Sequence, residues 1–334
     1  MNRNPHLAVV GATGAVGLEI LKTLEKRNFP VGKLTLLASA RSVGKQLKFR
    51  GQDIAVRELT KDAFAGIDLA LFSAGGSVSK EFAPAAVKAG CVVIDSSSAF
   101  RMDPAVPVVI PEVNAADVKL HKGIIAKPNC TTAVTLMALY PLHRAFNVKR
   151  IFASSYQAVS GSGTPGITEL RRQVEQVAQG EPVTREVYPH QIAFNVLPQV
   201  DAFLPNGYTK EEMKMENEAR KIMHHPTFRA SMTCVRVPVY RAHSVAVSAE
   251  FEKPVTVEAA REVLSRAPGL DVVDDPEKQE YPLPLYAAER YNCQVGRLRK
   301  DCALDNGLCF WVVGDQLLKG AALNAVQIAE ELLK

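Results

Sequence analysis

Residues 7–10, Leu-Ala-Val-Val, form a short and wholly apolar run that stops at a glycine, the pattern of a strand buried in a parallel sheet. Gly11-Ala-Thr-Gly14-Ala-Val-Gly17 follows, and then LEILKTLEKRN, in which Leu18, Leu21 and Leu24 recur at helical spacing. Residues 34–39 (LTLLAS), 68–74 (DLALFSA) and 92–97 (VVIDSS) read as further strands, with a helix around residues 79–89. Strands alternating with helices predict a parallel sheet wound by right-handed crossovers. This is the α/β, doubly wound, Rossmann-type dinucleotide-binding architecture.

Beyond Pro128 the texture changes. Residues 132–146 predict a helix whose start falls near Thr131, and residues 150–161 (RIFASSYQAVSG) a β-branched and aromatic strand. Residues 166–179 and the strongly charged 210–223 predict two more helices. MTCVRVPV (232–239) and SVAVSAEF (244–251) alternate like strands of an antiparallel sheet with one packed face. The last segment, GAALNAVQIAEELLK, is an amphipathic helix. It is assigned to the first domain because the other domain is complete without it. The 334 residues suffice for two domains, each with its own core. The boundaries expected are 1–129 with 316–334 for the first and 130–315 for an α+β second domain with a largely antiparallel sheet.

The glycine run lies between strand and helix, where small residues let the backbone approach a pyrophosphate whose charge the helix N-terminus stabilises. The end of the second strand selects the dinucleotide. NAD sites carry Asp or Glu there, accepting from the ribose 2′-hydroxyl. This strand ends Ala38-Ser39-Ala40-Arg41-Ser42 and has no acid. Arg41 suits a 2′-phosphate by charge and planar donors, with Ser39 or Ser42 adding a hydroxyl, so NADP is the expected cofactor.

Composition narrows the classes. A formal charge of +5 is mild and the basic residues are dispersed, which gives no case for nucleic acid. Six scattered cysteines, with no C-x-x-C pair and no histidine at ligand spacing, predict neither a disulfide scaffold nor a metal site. No apolar run reaches the ~18 residues of a membrane helix, and no apolar leader precedes the first strand, so a cytoplasmic protein is expected.

Lys127-Pro-Asn-Cys130-Thr-Thr132 carries the chemistry. Cys130 stands at the start of a helix, where the macrodipole favours a thiolate. It is the only one of the six whose neighbourhood supplies an activating feature. A nucleophilic thiol needs a partner base. His243, seven residues after Arg236 in RVPVYRAHS, is the leading candidate and His190 a weaker one. His6, His121, His143, His224 and His225 lie in segments that read as surface or helix ends.

GATGAVG, SSSAFR (96–101), PNCTT (128–132), QAVSGSG (157–163), EEMKMENEARKI (211–222), RVPVYRAHS (236–244) and GAALNAVQIAEEL occur in the order in which the aspartate-semialdehyde dehydrogenase family carries them, and the chain closely resembles that family from end to end. The resemblance implies an NADP-binding domain, a catalytic and dimerisation domain, and a homodimer. It implies that Cys130 forms an acyl-enzyme, that His243 is the acid/base and that Gln157 positions substrate. Arg236 would grip the aspartyl α-carboxylate and Glu211 meet its amino group, while Arg101 and Lys214 hold phosphate. Gly11, Thr13, Gly14, Ala15, Val16, Ser39, Arg41, Ser42, Ser160, Gly161 and Gln316 would contact NADP. The implied reaction is NADPH-dependent reduction of β-aspartyl phosphate to aspartate semialdehyde, releasing phosphate, in biosynthesis of lysine, methionine, threonine and diaminopimelate.

Three places depart from the family pattern. Thr131 replaces a serine, Lys127 an asparagine, and Asp315-Gln-Leu-Leu-Lys319 a D-N-L-R-K string. None removes a catalytic group. N-acetyl-γ-glutamyl-phosphate reductase is the alternative enzyme, but an N-acetyl substrate offers no ammonium to Glu211. Glyceraldehyde-3-phosphate dehydrogenase is disfavoured because S-C-T-T-N is absent. A non-catalytic NADP-binding paralogue is disfavoured by the intact Cys130, Gln157, Arg236 and His243.

Overall fold

The computed structural model describes residues 3–334; Met1 and Asn2, at the head of the N-terminal stretch, lie outside them. The chain forms two compact units, one of residues 1–129 with 321–334 and the other of residues 130–320.

The first unit is built on β1 (His6–Val10), α1 (Ala15–Lys26), β2 (Lys33–Ala38), β3 (Gln46–Phe49), β4 (Gln52–Glu58), β5 (Leu69–Phe72), α2 (Gly76–Lys88), β6 (Val92–Asp95), α3 (Pro111–Asn114) and β7 (Ile124–Ala126). Its seven-stranded sheet has the order β3-β4-β2-β1-β5-β6-β7, parallel throughout except for the β3–β4 hairpin at one edge. The apolar runs at β1, β2 and β5 are buried on both faces, as their lack of alternation requires. The hairpin has no counterpart among the elements that the hydrophobic pattern predicts. Its strands are polar and largely exposed, and its turn places both Arg50 (φ 49°) and Gly51 (φ 76°) in the left-handed region. The C-terminal helix, Leu323–Leu333, packs its Ala325, Val326, Ile328 and Ala329 into the same core as Leu7, Val9 and Ile20. Arg27 grips Glu330 with two 2.6 Å bonds, which fastens this helix beside α1.

The second unit comprises α4 (Cys130–Phe146), β8 (Val148–Gln157), α5 (Gly163–Gln179), α6 (Lys210–Ile222), β9 (Arg229–Arg236), β10 (His243–Phe251), α7 (Val257–Ser265), β11 (Leu270–Val272), α8 (Pro284–Ala287), β12 (Cys293–Lys300) and β13 (Gly307–Gly314). Its six-stranded sheet runs β11-β12-β13-β10-β8-β9. The expectation that segments 232–239 and 244–251 belong to an antiparallel sheet needs correction in detail. β8 lies between β9 and β10, antiparallel to β10 but parallel to β9 over eight residues. The helices between β8 and β9 return the chain to the sheet end where β8 began, so β9 runs in the same direction. α6 starts on a full capping box, Thr209 with Glu212. Among the described residues no helix is long and apolar enough to cross a membrane, and no group of His, Cys, Asp and Glu is placed to hold a metal.

Candidate active site

In the first unit, β1 ends at Gly11, whose N–H and that of Ala12 both bond the carbonyl of Leu37. A Cβ on Gly17 would lie 2.3 Å from the Gly11 carbonyl oxygen, so the turn closes only on glycine. α1 begins at Gly14 without a side-chain cap and without an acid in its first turn, which leaves the N–H groups at Ala15 and Val16 to an outside anion. Past β2, Ser39 precedes a single 3₁₀ turn (Ala40–Ser42), with no capping bond from its side chain; the turn presents Arg41 to solvent, and the Ser42 hydroxyl lies 3.4 Å from that of Thr13. A cradle that only glycine permits, an uncapped helix start and a cation on the acid-free strand end fit a phosphorylated dinucleotide.

Arg101 belongs to this unit too. The Asp95 carboxylate accepts from the hydroxyls of Ser79 and Ser97, both at 2.6 Å, and this stiffens the loop that carries the arginine. Arg101 is buried, and its Nε and Nη2 donate to the carbonyls of Lys127 and Ser96, each at 2.9 Å.

In the second unit the helix start lies one residue earlier than the sequence pattern places it. Cys130 is the first residue of α4, half-buried, with the 17-residue helix running away from it. Its thiol therefore sits at the positive end of the macrodipole. Three other thiols are held in the protonated form. Burial pushes Cys91 and Cys234 up to about 12, and burial also raises Cys309.

Gln157 and Ala158, at the end of β8, join the remaining groups. The Gln157 carboxamide nitrogen lies 2.9 Å from the Thr131 hydroxyl, 3.2 Å from Ser155 Oγ and 3.2 Å from Glu211 Oε1. Thr131, a departure from the family pattern, thus retains the hydroxyl that this network uses. The Ala158 N–H donates to Nδ1 of His243 at 3.0 Å, and the Ala158 carbonyl accepts from Nη1 of Arg236 at 2.7 Å. One residue's backbone therefore orients both the histidine and the arginine. His243 is fully buried, and Nε2 has no hydrogen-bond partner among the described residues. With Nδ1 accepting, the neutral ring carries its hydrogen on Nε2. Burial first, and then the Arg236 charge, hold its pKa well below the ordinary histidine value. His143 and His121 are also lowered by burial, but His143 stacks on His225 at 4.9 Å with Nδ1 accepting from Val148 N–H. His190 is exposed.

Glu211 and Lys214 form a 2.8 Å ion pair on α6, and Lys214 also reaches Asp201 at 3.1 Å. This is not an ordinary surface pair, since Glu211 is 7% exposed and the Lys214 side chain 22%. Burial pulls the lysine pKa down, but the two carboxylates outweigh it and hold the ammonium above its usual value. Arg236 is 6% exposed, and among the described residues no carboxylate closes on it.

These groups lie in a chain that matches two family models. Residues 6–121 match the semialdehyde dehydrogenase NAD binding domain, and residues 139–319 the semialdehyde dehydrogenase dimerisation domain. An aspartate-semialdehyde dehydrogenase of Aquifex aeolicus is 54% identical over 98% of both chains. The chain belongs to the aspartate-semialdehyde dehydrogenase family. A Bacillus subtilis member is 50% identical, covering 100% of this chain and 99% of its own. The crystal structure of aspartate semialdehyde dehydrogenase II from Vibrio cholerae, complexed with ASA, superposes with a TM-score of 0.97 at 42% identity, covering 99% of each chain. The fold is that of the family over its full length.

Within this family frame the structure shows what several further residues touch. Gln316, expected at the cofactor, is buried with both ends of its amide engaged: Oε1 accepts from Ala242 N–H at 2.8 Å and Nε2 donates to Ser160 Oγ. Gly161 stands where a Cβ would come within 2.7 Å of Arg236 Nη1 and 3.3 Å of the His243 ring. Sequence reasoning misses Asp315 and Gly320. A glycine in a GAAL string carries no signal of what it touches.

Proposed function

We propose that this chain reduces L-β-aspartyl phosphate to L-aspartate 4-semialdehyde with NADPH, reversibly, through a thioester on Cys130. The observation that carries the reading is the arrangement around Gln157 and Ala158. It joins the helix bearing Cys130, the buried His243 and two substrate-type groups, Arg236 and Glu211, on one short strand end.

The Cys130 thiolate attacks the acyl carbon, and the bond to phosphate breaks with its electron pair leaving on oxygen. The Gly11–Gly17 loop, with Arg41 and Ser42 for the 2′-phosphate, would hold NADPH, which when bound would supply a hydride to the thioester carbon. Ser39, Ser160, Gly161 and Gln316 are further groups that would line that cofactor. The carbonyl oxygen then bears the charge, and His243 meets it through Nε2, the nitrogen that Ala158 leaves available for proton exchange. Breaking the carbon–sulfur bond releases the aldehyde and returns the thiolate. Arg236 takes the α-carboxylate with its planar donors, Glu211 the α-ammonium, and Gln157 orients the acyl group. Arg101 and Lys214 are assigned to the phosphate. Arg236 with Glu211 favours a free amino acid over an N-acetylated one, because acetylation removes the ammonium that Glu211 would receive. The second unit's sheet is the homodimer face, and the setting is the cytoplasm.

Phosphate-dependent reduction of NADP with aspartate semialdehyde tests the reading. Turnover should require phosphate or arsenate and should be lost in Cys130→Ala while NADP still binds. Faster turnover of N-acetylglutamate semialdehyde would transfer the chain to the alternative substrate.

A further inference from the structure

Of the segment Asp315–Gly320, between β13 and the C-terminal helix, the reaction above uses only Gln316, at the cofactor. It leaves β13 at Gly314, the residue paired in register with His243. The Asp315 side chain is buried and saturated. One oxygen accepts from the N–H of Leu317 and Leu318, and the other from Arg241 Nε and Glu289 N–H, both at 2.6 Å. Gln316 then takes the N–H of Ala242, the residue immediately before His243. Ala242 is fully buried and has φ of 73°, a strained conformation for an alanine that persists only where its surroundings impose it. The bond from Gln316 and the Asp315–Arg241 ion pair are such constraints, one at Ala242 itself and one at the residue before it. At its far end the segment winds into a π turn, Leu318–Ala322, which sets Gly320 against the nucleophile. A Cβ on Gly320 would lie 2.7 Å from Cys130 Cβ and 3.2 Å from Cys130 Cα.

We infer that the Asp315–Gly320 turn is the positioning element of the site, with Gln316 setting His243 through the strained Ala242 and Gly320 seating Cys130. The inference rests on the reading of Cys130 and His243 as nucleophile and acid/base. It gives Gln316 a task apart from any contact with the cofactor. None of the turn residues touches reacting atoms through this role, and a displacement of about 1 Å is enough to cost on the order of a hundredfold in rate.

The test uses the full-length enzyme with its seven histidines labelled with ¹⁵N, the His243 ring signals being identified by their absence in His243→Ala. In Gln316→Leu, kcat should fall roughly ten- to a hundredfold with the semialdehyde KM within about threefold of the parent, and the His243 ring signals should move. Gln316→Glu keeps an acceptor for the Ala242 N–H and should recover much of kcat and restore the signals. Gly320→Ala should slow alkylation of Cys130 by iodoacetamide by about tenfold or more without a matching loss in melting temperature. An unchanged kcat in Gln316→Leu, or a fallen kcat with unmoved His243 signals, overturns the inference. If Gly320→Ala does not fold, the glutamine pair decides alone. Full turnover in Cys130→Ala, measured alongside, would instead overturn the reading of the nucleophile.

Discussion

Replacing Arg236 with leucine should separate the two anion sites of the proposed reaction. The arginine spends one donor on the Ala158 carbonyl and has no carboxylate partner among the described residues, so its other donors remain for a substrate carboxylate. Removing one member of a buried, hydrogen-bonded charge pair costs about 2–5 kcal/mol. At about 1.4 kcal/mol per decade, the semialdehyde KM in the oxidative direction should rise by roughly thirty- to several thousandfold. The phosphate KM, read independently at saturating semialdehyde, should stay within about threefold in Arg236→Leu and rise instead in Arg101→Leu and Lys214→Met. A second consequence concerns His243. Burial is the larger cause of its lowered pKa and the Arg236 charge the next, so Arg236→Leu should move the acid limb of the kcat profile towards neutral pH without restoring the ordinary value. The assay is initial-rate NADPH formation with each reactant varied in turn. A rise in the phosphate constant alone, with the semialdehyde constant unmoved, would reverse the orientation of the substrate and remove Glu211 as the ammonium partner.

Other outcomes follow from single groups. Arg41→Ala should weaken NADP roughly ten- to a hundredfold while leaving NAD little changed, since a charge-assisted contact is worth about 1.5–3 kcal/mol; equal losses by fluorescence titration would take Arg41 off the 2′-phosphate. Thr131→Val keeps the shape but removes the hydroxyl beside Gln157, so kcat should fall about tenfold, as expected for ~1.5 kcal/mol; Thr131→Ser should match the parent, and equal rates in all three would discount the bond. His243 is buried neutral with a lowered pKa, whereas the unfolded chain protonates it near the ordinary ~6.5. Its contribution to stability is therefore complete above that value and is lost as pH falls below it, by about 1.4 kcal/mol per pH unit. Urea unfolding at about pH 7 and about pH 5.5 should show a steeper loss in the parent than in His243→Ala, and equal slopes would contradict the neutral assignment.

What the sequence makes legible is whatever is written in local pattern. The apolar runs at β1, β2, β5 and β6 and the glycine turn at residues 11–17 are encoded by near neighbours, and in the structure they lie close to where the pattern puts them. The β3–β4 hairpin escapes because an exposed edge strand buries too little to show a period. Strand direction in the second unit escapes for another reason. Alternation along 232–239 reports a packed face but not whether the neighbour is parallel, and that depends on the helical crossover from β8. At the site, Cys130 announces itself through the helix that follows it, while the joining role of Ala158 is invisible in sequence, because it is played by a backbone N–H and carbonyl. Ala242 is similar: nothing in an alanine between Arg241 and His243 signals a φ of 73°.

Passage of the acyl group through Cys130 is the step on which the rest depends. Mixing enzyme with β-aspartyl phosphate in the absence of NADPH, quenching in acid and mapping the peptides by mass spectrometry tests it directly. An aspartyl thioester should appear on the peptide containing Cys130, formed with a burst of phosphate and discharged as semialdehyde when NADPH is added. A phosphate burst with no acyl group on Cys130, or semialdehyde formed by Cys130→Ser at the parent rate, would contradict it.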